Sequence, residues 1–208
     1  MSNYMTVCSA EPTEIEVKRS RFICHVKNVT SRAEADAFVA LVRTQHREAS
    51  HNVFAYIVRE NNYCRFSDDG EPSGTAGKPV LDVLRGSGLV DACVVVTRYF
   101  GGTLLGTGGL VRAYGDAARI GLETAEKIKM VETALFTCRF DYTYYGKISA
   151  LVSDFGGKVE QNTFDDAVNL EFYIPNEQKN SFLSALTEAT LGKVSANFLS
   201  FCYKSEKI

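Results

Sequence analysis

The 208-residue sequence holds no apolar run near the ~20 residues that a bilayer-spanning helix needs. Its N-terminus, MSNYMTVCSAEPTE, has no basic stretch leading into an apolar core, so export is not expected. Charge of one sign is also missing. Lys and Arg number 23 against 25 Asp and Glu, a net charge of -2, and bulk electrostatics therefore do not mark a nucleic-acid binder. There is no CxxC pair among the six cysteines, and Cys24, Cys93 and Cys138 sit in strand-like apolar runs. They read as buried cytosolic thiols rather than as a disulfide framework. His25, His46 and His51 do not stand at metal-ligand spacing, HExxH is absent, and no glycine stretch is a Walker A loop or a proper GxGxxG fingerprint.

What remains is an ordinary globular chain, 45% hydrophobic and 23% charged. Its length permits burial of about 70% of its surface. Residues 14–29 read as extended, but the apolar parity changes between Ile15/Val17 and Phe22/Cys24/Val26. A period of two cannot change phase without a turn or bulge, which Lys18–Arg21 must contain. Ser31 and Glu34 form a capping box for a helix whose inner face is expected to be Ala35, Phe38, Leu41 and Val42. Asn61-Asn62 suggests a hairpin between two strands, and Pro79 opens a short helix. Ala92–Val96 is apolar on both faces, as a doubly covered central strand should be. A helix over about 110–125 follows, with Arg112 expected to pair with Asp116 one turn on. Beyond residue 134 the pattern is βαββαβ, the split-βαβ or ferredoxin-like plan, with Thr143 and Asn176 as expected helix caps. The expected class is α+β, with domains at 1–134 and 135–208.

Two segments depart from core-and-surface patterning. The first, Ser67–Pro79, carries Asp68, Asp69, Glu71, Ser73, Thr75 and Lys78. Its three carboxylates suit a hard cation such as magnesium, yet Asp and Gly here also build consecutive tight turns, which is the favoured reading. The second runs from Thr97 to Gly115. Arg98 ends the buried strand, and Gly101, Gly102, Gly106, Gly108 and Gly109 lead into a helix carrying Arg112. Bare amides and a helix N-terminus attract anions, and Arg98 adds a planar cation. Close backbone packing explains the glycines equally well. No Ser–His–Asp order can be assigned, so no catalytic residue is expected.

The stretches SDDGEPSGTAGKP and VVVTRYFGGTLLGTGGLVRAYG, with KRSRF at 18–22 and His51-Asn52, closely resemble the signature of the IMPACT/YigZ family. The resemblance covers residues of about 15–125, and the remainder looks like the ferredoxin-like second domain of bacterial members. It implies an N-terminal α/β two-layer sandwich of the type shared by a ribosomal small-subunit protein and domain four of elongation factor G, followed by a domain akin to domain five of that factor. Eukaryotic relatives regulate translation initiation under amino-acid starvation, through partners and an additional domain. The expectation is therefore a non-catalytic cytoplasmic binding protein linked to translation, touching RNA, the ribosome or translation-associated proteins. It should show no DNA specificity and no membrane binding. Arg19, Arg21, Lys78, Arg98, Arg112 and the five loop glycines would form its anion-binding surface, with Lys18 extending it. No cofactor is expected. The alternative is a phosphate-handling enzyme, with magnesium on Asp68, Asp69 and Glu71 and with His51 as base.

Overall fold

The structure, a computed structural model, describes residues 3–8 and 10–207. Two compact units divide the chain, in the main Tyr4–Lys129 and Met130–Glu206. The division falls within one continuous strand, Lys127–Phe140, which also contains the junction expected between residues 134 and 135.

The N-terminal unit contains, in order, β1 (Tyr4–Val7), β2 (Thr13–Val17), β3 (Ser20–Asn28), α1 (Arg32–Gln45), β4 (His51–Val58), β5 (Tyr63–Ser67), α2 (Gly77–Gly86), β6 (Ala92–Tyr99) and α3 (Thr107–Thr124). Strands β2-β3-β6-β4-β5 form an antiparallel sheet in that order. Side-chain alternation divides β6 between two cores. Ala92, Val94 and Val96 join Phe22, Cys24, Val53 and Ala55 under α2 and α3. Cys93 and Val95 join Phe54, Tyr56 and Val58 on the opposite face, where α1 adds its cover. Every residue of β6 except Tyr99 is buried, as its unbroken apolar run requires.

The parity change at residues 18–21 resolves as a two-residue hairpin, with Val17 opposite Ser20. Lys18 and Arg19 both carry positive φ, 48° and 68°, the backbone of a type I′ turn. Asn61 and Asn62 turn the β4–β5 hairpin, also at positive φ. Ser31 accepts from the Glu34 amide as expected, but the buried stripe of α1 is Ala35, Val39 and Val42. Leu41 is half exposed, because the helix presents Val39 rather than Leu41 to the sheet's second core.

The C-terminal unit is β7 (Lys127–Phe140), α4 (Tyr145–Asp154), β8 (Lys158–Phe164), β9 (Val168–Pro175), α5 (Lys179–Thr190) and β10 (Asn197–Lys207). Its strand order, β10-β7-β9-β8, is that of a ferredoxin-like fold. Phe136, Phe172 and Phe182 lie at its centre, with the Phe136 and Phe172 rings stacked at 5.7 Å. The expected caps change hands. Asp141, not Thr143, accepts from the Thr143 amide, and Asn176 donates to Glu132 rather than capping α5. In both places a single 3₁₀ turn precedes the helix and shifts its start.

Candidate functional site

The two unusual segments come together at the end of the N-terminal sheet where β3 begins and β6 ends. In register, Arg98 of β6 lies between Phe22 of β3 and His51 of β4, on the face covered by α2 and α3. The residue is 5% exposed. Nη1 donates to Glu71 Oε1 at 2.7 Å, and Nη2 donates to Ser20 Oγ at 3.3 Å. Nε finds no partner among the described residues. The Tyr114 hydroxyl of α3 donates to the same Glu71 oxygen at 2.7 Å. Burial, reinforced by the Glu71 charge, pushes the Tyr114 hydroxyl pKa up and keeps it a donor. His51 Nδ1 donates to the Asp69 carbonyl at 2.8 Å, since a carbonyl can only accept. That bond directs Nε2 toward Glu71, 3.8 Å from its Oε1.

The acidic loop is a turn scaffold. Asp68 accepts from the amides of Gly74, Ala76 and Gly77 at 2.9, 3.1 and 2.8 Å, so one carboxylate gathers the loop and fixes the start of α2. Asp69 accepts from the Asn52 amide at 2.6 Å and pairs with Arg43. Glu71 alone turns into the sheet end. Thr75 is buried on the Pro72 carbonyl, and Ser73 is exposed. Three carboxylates close in sequence thus face three different sets of partners. Among the described residues, no three His, Cys, Asp or Glu side chains gather as a metal site.

The glycine loop closes the other side. Gly101 donates to Ser20 Oγ at 3.1 Å, and a Cβ there would run into the Arg19 carbonyl, so the β2–β3 turn and the glycine loop are in direct backbone contact. Gly106, at φ 73°, is the N-cap of α3 and offers no side-chain cap. The helix begins at Thr107, three residues earlier than its apolar pattern indicates, and takes Gly108 and Gly109 into its first turn. Residues of both segments line a cleft of about 510 Å³, with Ser50, His51, Glu71, Pro72 and Arg98 in its wall together with Phe100, Leu104, Leu105, Gly106, Thr107 and Leu110.

The expected basic set is rearranged. Arg98 is locked to Glu71 inside the fold, Lys78 pairs with Asp82, and Arg21 with Glu14 at 2.8 Å. Arg112 does not pair with Asp116, which is held by Arg119 at 2.5 Å. Lys18, Arg19 and Arg112 are exposed. Tyr114, Ser20 and Ser50 join the site without having been expected there. A hydroxyl tip on the apolar stripe of α3 is the signal that points to Tyr114, whereas nothing local marks Ser20 or Ser50.

The fold and this constellation define a two-domain α+β protein with a glycine-loop cleft on its N-terminal domain. Residues 18–122 match the model of the Impact N-terminal domain, and residues 138–193 match a domain described only as of unknown function. The protein is 40% identical over 194 residues to IMPACT family member YvyE of Bacillus subtilis, covering 93% of this chain and 89% of that protein. It is 36% identical over 182 residues to IMPACT family member YigZ of Escherichia coli, covering 86% and 89%. A solved structure described as a hypothetical protein superposes with a TM-score of 0.64 at 32% identity, covering 96% of this chain and 98% of that one. The chain belongs to the IMPACT family.

Proposed function

We propose that this protein is a non-catalytic binding protein of the translation apparatus that holds RNA, or a ribosome-associated partner, at the glycine-loop end of its N-terminal sheet. The observation that carries the reading is the Lys18–Arg19 turn. Two long cations stand at the tip of a hairpin, in a left-handed backbone that favours other residues, and their carbonyl side is braced on Gly101. Neither forms an ion pair among the described residues, so both charges are available to phosphate. Arg112 is the third such cation. Arg98 leaves the contact set, because a buried, carboxylate-bound guanidinium offers little to a phosphate backbone, whereas Lys78 stays exposed beside Asp82. In this reading the protein works in the cytoplasm, without DNA specificity or membrane contact. No helix of the described residues is long and apolar enough to cross a membrane. The enzymatic alternative has no observation in its favour, because Asp68, Asp69 and Glu71 are each engaged by protein groups.

The test is the salt dependence of RNA affinity in the variant Lys18→Asn/Arg19→Gly. Asn-Gly is the preferred pair for this turn, so two charges are removed while the hairpin is kept. For a single strand, the slope of log affinity against log salt should become shallower by roughly 1.4, and affinity should fall. Unchanged slope and affinity overturn the reading.

A further inference from the structure

Spacing along the chain hides a pair of histidines that the fold brings together on the sheet face opposite Arg98. His25 of β3 lies across from Val95 of β6, on the face that α1 covers, and His46 is the C-cap of α1. Their Nε2 atoms stand 3.1 Å apart although 21 positions separate them in sequence. The ring centres, at 5.0 Å, are closer than a collinear approach would leave them, so the rings meet at an angle rather than end to end. Two nitrogens bound to one ion at about 2.0–2.1 Å stand about 2.8–3.4 Å from each other in square or tetrahedral geometry. The pair already has that spacing, and it is held by a strand and a helix end, not by a loop.

The surroundings suit a cation. The Tyr99 hydroxyl is 2.9 Å from His46 Nδ1, and a ligating imidazole normally gives its second ring N–H to such an oxygen. Burial lowers both histidines, His25 to about 4, so both rings are neutral at pH 7 and carry lone pairs. His46 stands at the carbonyl end of a 14-residue helix, where the dipole favours positive charge. The cation that acts on His46, Arg21, lies over the Tyr99 ring at 5.6 Å and is neutralised by Glu14 through two bonds of 2.8 Å. Lys27, the next residue of β3 on this face, lies over the Phe38 ring at 5.5 Å. Both histidines are partly exposed, which leaves a hydrated ion a way in. Imidazole selects zinc, nickel, cobalt or copper over magnesium and calcium.

We infer that His25 and His46 form a site for a divalent transition ion of the zinc class, with Nε2 of each ring as a ligand and water completing the shell. Binding uses both Nε2 lone pairs, so the single proton shared between the rings is relocated and none is lost. His46 carries its proton on Nδ1 and donates it to the Tyr99 oxygen, and His25 carries its own on Nδ1, which no described protein group bonds. Among the described residues no third His, Cys, Asp or Glu joins the pair, so the ion is exchangeable. Bound, it ties the end of α1 to β3. The site does not depend on the RNA reading, and either can fail without the other.

The experiment titrates the full-length, chelator-stripped protein with Co²⁺, followed by its visible absorption, and then displaces it with Zn²⁺. Cys8→Ser/Cys64→Ser serves as the parent, because both thiols are exposed and would compete as soft ligands. One equivalent of Co²⁺ should bind without a thiolate charge-transfer band, Zn²⁺ should displace it, and Mg²⁺ should not. His25→Gln and His46→Gln should each weaken affinity at least tenfold, and Tyr99→Phe, which removes the oxygen that orients His46, severalfold. Saturating Zn²⁺ should raise the melting temperature of the parent by several degrees and leave that of the two histidine variants unchanged. Circular dichroism in metal-free buffer checks that each variant keeps the parent's fold. No binding of Co²⁺ or Zn²⁺, a thiolate band, equal competition by Mg²⁺, or undiminished affinity in folded His25→Gln and His46→Gln overturns the inference.

Discussion

Arg98 and Glu71 form an ion pair at 2.7 Å with both side chains almost wholly out of solvent, although 27 positions separate them in sequence. Removing one member leaves the other charge buried and uncompensated, a loss of about 3–5 kcal/mol. Arg98→Ala should therefore lower the urea midpoint sharply. The double variant Arg98→Met/Glu71→Leu should recover much of that loss, since an apolar pair of similar volume has no desolvation cost. Equilibrium unfolding of the two variants and the parent checks this. Tyr114→Phe, which removes one donor from Glu71, should cost about 1.5–3 kcal/mol.

The second expectation concerns acid. His25 of β3 and His46 at the end of α1 stand Nε2 to Nε2 at 3.1 Å, and the Tyr99 hydroxyl of β6 meets His46 Nδ1 at 2.9 Å. Burial first, then the neighbouring His46, lowers His25 to about 4, and burial together with Arg21 lowers His46. An unfolded histidine titrates near 6.5. Between those values the unfolded protein takes up a proton that the folded one refuses, so stability is full above about pH 6.5 and declines as pH falls toward 4. Melting temperature should drop over that window, and His25→Gln should flatten the drop.

Close packing supplies the third. A Cβ added to Gly121 would run into Cys24 Sγ, and it would stand 3.1 Å from Cys24 Cβ. Gly121→Ala should destabilise the N-terminal unit by about 1–3 kcal/mol despite the better helix propensity of alanine. A denaturation curve with an unchanged midpoint would count against the close α3–β3 approach.

Thiol reactivity gives the fourth. All six cysteines are free. Burial pushes Cys24 and Cys138 up to about 12 and raises Cys93 as well, whereas Cys8 and Cys64 are exposed. Ellman's reagent should titrate Cys8 and Cys64 in the native protein, and Cys24, Cys93 and Cys138 only after unfolding.

Features set by neighbours along the backbone were readable from the sequence. The parity change from Ile15 to Phe22 demanded a reversal at Lys18–Arg19, and the unbroken Ala92–Val96 run demanded cover on both faces. The βαββαβ order after residue 134 followed from alternating periods. Features set by distant partners were not. Arg98 read as a free cation because Glu71 is brought to it only when Asp68 gathers the loop around its own carboxylate. Arg112 read as paired because Arg119 competes for Asp116 from the other side of the helix turn. At α1 the period itself favours Val39, which stands four residues after Ala35 and three before Val42, whereas Leu41 lies about 120° round the helix from Ala35 and is half exposed.

Strand β6 is hydrogen-bonded to β3 and β4 along its whole length and is sheathed on both faces. Its amides should exchange with deuterium only through global opening, later than those of any loop around it. The guanidinium of Arg98 therefore hangs from the most slowly opening backbone in the domain. Fluctuations that part the glycine loop from the β2–β3 turn would reshape the rim of the cleft while its floor stays where it is.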